Sequence, residues 1–299
     1  MEHARWQGNT DGSTAMHRAL IWLMRHISLR LVYAFMAVFV VPVYMLVNRN
    51  GYRAIYRYFR RRHGLGRLRA FGMTYRNHYR FGQVILDRFA AYAGKRFEFE
   101  IDGESDFDSL YYSPGSFIIL GSHVGNYEMV GYSFDLTRKH FNVVMFGGEA
   151  QEVMANKVRL FNSHNIDIIT VADDLSHVFQ INRALDAGDI LSIHGDRLFG
   201  SPRYVECELL GATARLPMGP YAIAAQRDVP AIAMFAIKLS TRRYRLYIRP
   251  IRPEGYALAR RIRDKIPLLA REFARQVGDI LSRHPEQWFN YYDFWQNDD

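Results

Sequence analysis

His123 and Glu128 are the residues whose types and spacing suggest chemistry. They lie in GSHVGNYE, residues 121–128, directly after the apolar run SFIIL. A histidine titrates near neutrality, so its imidazole can take a proton from a hydroxyl or an amine. A carboxylate bonded to one ring nitrogen fixes the tautomer and leaves the other nitrogen to act as base. That arrangement suits an attack on an acyl carbonyl in which the attacking group must lose a proton. By spacing alone the pair reads two ways: a general base with its partner, or an ordinary histidine near a helix start. Gly121 and Gly125 flank His123, which lets the backbone turn tightly and a substrate come close.

Other reactive side chains carry weaker signals. Ser122 and Ser201 lie in no G-x-S-x-G elbow, which argues against a serine hydrolase. His194 stands two residues before Asp196, but two histidines with scattered carboxylates make no metal motif. Cys207 is the single cysteine, so neither an internal disulfide nor a thiolate cluster can form. Nothing beside it marks an activated nucleophile, and it reads as a packed residue in a reducing compartment. Glu149 follows FGG at another strand end and is either a site residue or a helix-start carboxylate.

The elements that must position His123 follow from periodicity. From about residue 97, short apolar runs alternate with helical patterns: SFIILGS, FNVVMFGG, IDIITV, DILSIHGD and VPAIAMFAIK are strands. Helices are expected over about 126–138, in EAQEVMANKVRLFN, in DLSHVFQINRALDAG, in YAIAAQRD and over about 256–283. RYRLYIRP reads as an alternating strand. This rhythm predicts an α/β fold, a mostly parallel central sheet with helices on both faces. In such sheets, sites form where a strand ends and its loop begins, which is where His123 stands.

The first third of the chain differs. Residues 1–96 hold 17 Arg or Lys against 3 Asp or Glu, a net charge of +14, whereas the whole chain carries +9. Residues 1–15 read as a mobile lead with no signal peptide, 16–96 as a helical membrane-associating region, and 97–299 as the α/β domain packed with it. LVYAFMAVFVVPVYMLV, residues 31–47, has no charge and sits at the lower length limit for a bilayer crossing, with Pro42 expected to kink it. A transmembrane helix and a helix lying in the interface both remain open. A buried core helix fits less well, because an arginine–aromatic helix follows at once in NRNGYRAIYRYFRRRHG. A third helix, over about 69–92, shows apolar residues at spacings of three and four. Ten arginines and no acidic residue between positions 49 and 80 call for an anionic partner. Their place after an apolar helix favours lipid headgroups on a cytoplasmic leaflet over nucleic acid. Aromatics at 14% suit contact with a membrane interface or a lipid chain.

Several blocks in order resemble the lysophospholipid acyltransferase superfamily, in its lipid A late-acyltransferase-like branch. GSHVGNYE is similar to that branch's strand–His–x4–Glu signature, and HGDR at 194–197 to its second block. LPMGPYAIAAQRDVPAIAMF and the terminal HPEQWFNYYDFW follow in the same order. The match spans roughly residues 20–295 and looks nearest to acyltransferases of the Bacteroidetes type. The resemblance implies transfer of a fatty acyl group from a thioester donor, on acyl carrier protein or coenzyme A, to a lipid hydroxyl or amine. It implies His123 as general base and Glu128 as its orienting partner, with no metal and no other cofactor. Gly125 and Asn126 would shape the turn beside the substrate. Asp196, Arg197 and Glu149 would be further substrate contacts. The branch more often has Asp-Gln where this chain has Asp196-Arg197, which implies a more anionic acceptor or carrier contact. It also implies the cytoplasmic face of the inner membrane. An inactive lipid-surface binding protein and an acyl hydrolase on the same scaffold are the alternatives.

Overall fold

A helical stretch and a run of short apolar strands divide the computed structural model, which describes residues 14–132, 134, 137–146, 165–171, 174–198 and 202–295. The helical part comprises α1 (Thr14–His26), α2 (Leu29–Phe35), α3 (Val41–Val47), α4 (Arg49–Arg61) and α5 (Arg67–Tyr92). Pro42 does not break the run. π-Helical turns over Met36–Val40 join α2 to α3. Proline has no N–H to give and crowds the carbonyl four residues back, and a wider turn accommodates both.

The resulting 19-residue helix, Leu29–Val47, is the one described helix long and apolar enough to cross a membrane. It has two sides. Leu29, Tyr33, Met36, Val41 and Met45 are buried in a small core with Met24 and Ala90. Leu31, Phe35, Val38, Val43, Leu46 and Val47 are exposed. Helix α4 is split the same way: Ala54, Ile55, Tyr58 and Phe59 are buried, while Arg53, Arg57, Arg60 and Arg61 face outward. The Asn48 side chain accepts from the Gly51 amide at 3.1 Å and starts α4.

The α/β part holds β1 (Glu98–Asp102), α6 (Glu104–Tyr111), β2 (Phe117–Gly121), β3 (Phe141–Phe146), β4 (Ile166–Val171), α7 (Ser176–Asp186), β5 (Ile190–His194), β6 (Tyr204–Leu209), β7 (Ala212–Pro217), α8 (Met218–Arg227), β8 (Ala231–Lys238), β9 (Arg243–Pro250) and α9 (Ile262–Arg283). Seven strands make one sheet in the order β1-β9-β8-β2-β5-β3-β4. Every neighbouring pair is parallel except β8 with β9. Ile118 and Leu120 of β2 meet the core that includes α7, α8 and α9, while Phe117 and Ile119 meet Phe107 and Tyr111 of α6 on the opposite face. Burial on both faces is why these strands read as continuous apolar runs.

The mostly parallel sheet with helices on both sides agrees with the sequence reading, and three local expectations change. The helix expected over 126–138 is a 3₁₀ turn, Tyr127–Tyr132, among the described residues. The Met129 amide bonds the Asn126 carbonyl, three residues back, and Gly131 disfavours continuation. The helix expected from 256 begins at Ile262, after a short 3₁₀ turn. The β6–β7 hairpin was not anticipated. Residues 1–13, the expected helix containing Glu149, and Ser201 lie outside the described residues.

Candidate active site

Strand order alone brings two distant segments together. The chain leaves β2 towards β3, β4 and β5, then returns on the other side of β2 as β8, so β2 is a switch point of the sheet. Strands β2 and β5 are parallel neighbours with Gly121 opposite His194. His123 and Asp196 each lie two residues past that pair, so they emerge at the same level of the same edge. The Nδ1 atom of His123 lies 2.9 Å from Oδ1 of Asp196, and the backbone N–H of His123 donates to Oδ2 at 2.7 Å. One carboxylate thus grips both the ring and the main chain of the histidine. With Nδ1–H donating to Asp196, Nε2 is the nitrogen with basic character.

The loop that carries His123 is clamped from three directions. Gly125 has φ +69°, and a Cβ there would collide with the carbonyl oxygen of Ala236. Only glycine fits such a turn at no steric cost. The Gly125 amide donates to the Gln287 carbonyl at 2.8 Å, the Phe289 amide to the His123 carbonyl at 3.0 Å, and the Asn126 amide to the Ala236 carbonyl at 2.8 Å. Gln287 is fixed in turn by its own side chain, which pairs with the backbone N–H and C=O of Lys238 at 2.9 and 3.0 Å. The Asn77 side chain donates to the carbonyls of Glu286 and Trp288 at 3.1 and 2.7 Å. The terminal HPEQW block is therefore a clamp on the histidine loop.

Around this pair stand His194, Tyr127, Glu128, Arg88 and Arg197. The His194 ring lies 4.8 Å from that of His123, and Tyr127 packs edge-on to both rings. Glu128 is buried and accepts from Arg88 of α5 at 2.8 Å. Arg197 donates to the Phe289 carbonyl and lies over the Tyr292 ring.

These surroundings set the charges. Burial holds His123 below its ordinary range; Asp196 pulls it up, while Arg197 and Arg88 push it further down. Burial first, and then His123, press His194 down to about 3. Asp196 is buried, which opposes ionisation, but the His123 contact and the nearby Arg197 outweigh burial and keep it well below the usual carboxylate range. At neutral pH the site holds two neutral imidazoles and an ionised carboxylate, the state in which His123 can accept a proton.

A base at a strand end, oriented by a carboxylate, fits acyl transfer. The model of the bacterial lipid A biosynthesis acyltransferase family matches residues 87–296. The chain belongs to that family. It is thus an acyltransferase acting on lipid, and the match begins at Asp87, within α5, so it takes in Arg88 beside Glu128. No curated protein matches the chain.

Within this acyltransferase the sequence candidates fall in different places. His123, Gly125, Asn126, Glu128, Asp196 and Arg197 converge on the β2–β5 edge. Glu149 lies outside the described residues. The carboxylate found on Nδ1 is Asp196, where the sequence reading expected Glu128. Asn126 is buried, and its side-chain amide donates to the Tyr244 hydroxyl at 3.2 Å. Ser122 Oγ is buried with no hydrogen-bond partner among the described residues, so none of them activates it. Sequence reasoning missed Arg88 and Gln287. Arg88 did carry a signal: its neighbour Asp87 is the one acidic residue between positions 12 and 97.

Proposed function

We propose that this acyltransferase moves a fatty acyl group from a thioester donor to a hydroxyl or amine of a lipid, with His123 as general base. The observation that carries this reading is the Nδ1–Asp196 contact at 2.9 Å on adjacent strand ends, in a chain of this family. The acceptor oxygen or nitrogen attacks the thioester carbonyl as its proton passes to Nε2 of His123. The C–O or C–N bond forms, the C–S bond breaks, and the proton is returned to the departing thiolate. Asp196 holds the ring and stabilises the imidazolium formed midway. Glu128, paired with Arg88, forms a charged wall beside the ring instead of orienting it. Direct transfer requires no acyl-enzyme and no cofactor. The donor is acyl carrier protein or coenzyme A thioester.

The same reading places the protein on the cytoplasmic face of the inner membrane. The exposed side of Leu29–Val47 enters the lipid, and the outward arginines of α4 meet anionic headgroups. Replacing Phe35, Phe39, Leu46 and Val47 with serine should release the protein from phosphatidylglycerol vesicles. Undiminished co-sedimentation would rule that face out.

Comparative lipidomics tests the chemistry. A deletion strain should lose one acylated lipid class, regain it with the wild-type gene, and not regain it with His123→Ala. Restoration by His123→Ala would overturn the assignment.

A further inference from the structure

A second polar cluster lies sealed beneath the exposed helix. Asp87 of α5 and Lys238 at the end of β8 form an ion pair at 2.5 Å, with both side chains fully buried. The Tyr33 hydroxyl, from the buried side of Leu29–Val47, donates to one oxygen of Asp87. The Tyr244 hydroxyl donates to the other. Lys238 Nζ also reaches the Tyr33 hydroxyl at 3.3 Å and the Thr241 carbonyl at 3.1 Å. Groups from α2, α5, β8 and β9 therefore meet on one carboxylate.

Two routes lead from this cluster to the histidine loop. Tyr244 accepts from the side chain of Asn126, three residues after His123. The main chain of Lys238 holds Gln287, whose carbonyl accepts from the Gly125 amide. An apolar core would fill this space without ordering such groups. Replacing a buried ion pair with packed apolar side chains is often neutral or stabilising, so stability alone does not explain its presence.

We propose that Tyr33, Asp87, Lys238 and Tyr244 are positioning residues that tie the seating of the Leu29–Val47 helix to the geometry of the His123 loop. Seating of the exposed helix and readiness of the base are thereby one event: with Tyr33 out of the cluster, Asp87 loses a donor and the loop loses its fixed support. This rests on the reading of His123 as the base.

Hydrogen exchange on the full chain, bound to vesicles of phosphatidylethanolamine and phosphatidylglycerol, tests the coupling directly. Tyr33→Phe keeps the ring and removes only the hydroxyl. The amides of Gly125 and Asn126 should exchange about tenfold faster, the change expected for loss of one buried hydrogen bond. With a palmitoyl thioester as donor and total lipid of the deletion strain as acceptor, kcat should fall about as much while KM stays unchanged. A combined variant (Tyr33→Phe, Asp87→Leu, Lys238→Met, Tyr244→Phe) should keep its melting temperature and show the same two changes. Wild-type exchange in both folded variants would overturn the proposal, as would faster exchange with unchanged kcat. An active His123→Ala protein would instead overturn the assignment of the base and leave the exchange result standing.

Discussion

Asp196 and Asp87 are both buried carboxylates paired with a basic side chain, and they serve opposite ends. Asp196 faces His123, whose side chain keeps 15% of its surface exposed, and Asp87 faces Lys238, which keeps none. A half-open pair can exchange a proton with a substrate. A sealed pair can only hold shape. The burial of the two partners separates the roles: His123 lies at a strand end, where the sheet opens into a loop, whereas Lys238 is closed over by α2 and α5. Each pair is a buried carboxylate bonded to a basic side chain, but the base is a neutral imidazole open to solvent in one and a sealed lysine cation in the other.

Breaking the open pair should have the largest effect, and it should fall on activity. Asp196→Asn removes the charge that orients and stabilises the imidazole, and its amide can accept from only one of the two His123 N–H groups, so acyl transfer should drop by ~10²–10⁴ with a smaller fall in melting temperature. Single-turnover kinetics beside thermal unfolding checks both halves of that statement.

Breaking the sealed pair from one side should fall on stability, in addition to the loss of loop positioning expected from removing the cluster. Lys238→Met leaves Asp87 buried without its cation and should cost ~3–5 kcal/mol, while Asp87→Leu with Lys238→Met should recover most of it. Urea unfolding of the two variants gives the answer, and a double variant as unstable as the single one would contradict the comparison.

Gly125 lies between the two pairs, and Gly125→Ala sharpens the contrast by disturbing both. A side chain in the left-handed region pressed on a backbone carbonyl should cost roughly 2–4 kcal/mol and abolish transfer together. Loss of activity with an unchanged melting temperature would show that the loop moves independently of its clamp.

The smallest effect concerns pH. His194 is held far below the value of an unfolded histidine, so the unfolded chain takes up a proton first as pH falls. Its stabilising neutrality is complete above about pH 6.5 and is lost progressively towards pH 3. His194→Gln should therefore flatten the fall in melting temperature between pH 7 and 4, by about 1–3 kcal/mol of stability. With His123 as the proposed base, held below its ordinary range, the acid limb of the transfer rate should lie below pH 6.5. An acid limb above pH 7 would mean that another group acts as base.

Much of this was legible in the chain itself. Apolar runs alternating with helical periods announced the parallel sheet, and His123 after SFIIL stood where such sheets carry their sites. The glycine at 125 marked the turn. The spacing of Glu128 from His123 drew attention to the wrong carboxylate for Nδ1, because sequence shows neighbours within a loop but not across a sheet. Asp196 is 73 residues away, and only the β2–β5 register sets it opposite. The short 3₁₀ turn after Asn126 was hidden for a related reason: the loop just before it is held by bonds from the Gly125 and Asn126 amides to the Gln287 and Ala236 carbonyls, and no local pattern records them.

The composition of residues 1–96, the charge-free helix and the strand–helix rhythm were enough to indicate an α/β fold with a basic, apolar entry segment, and the ordered blocks carried the resemblance to lipid acyltransferases. Period and charge are local properties, which each segment carries by itself. The partner of each buried charge was decided by the tertiary structure alone. A carboxylate out of water must find a cation or a donor, and which one it finds depends on strand order and helix seating. Asp196 met His123 because β2 and β5 are neighbours, and Asp87 met Lys238 and Tyr33 because the apolar helix lies over the end of β8.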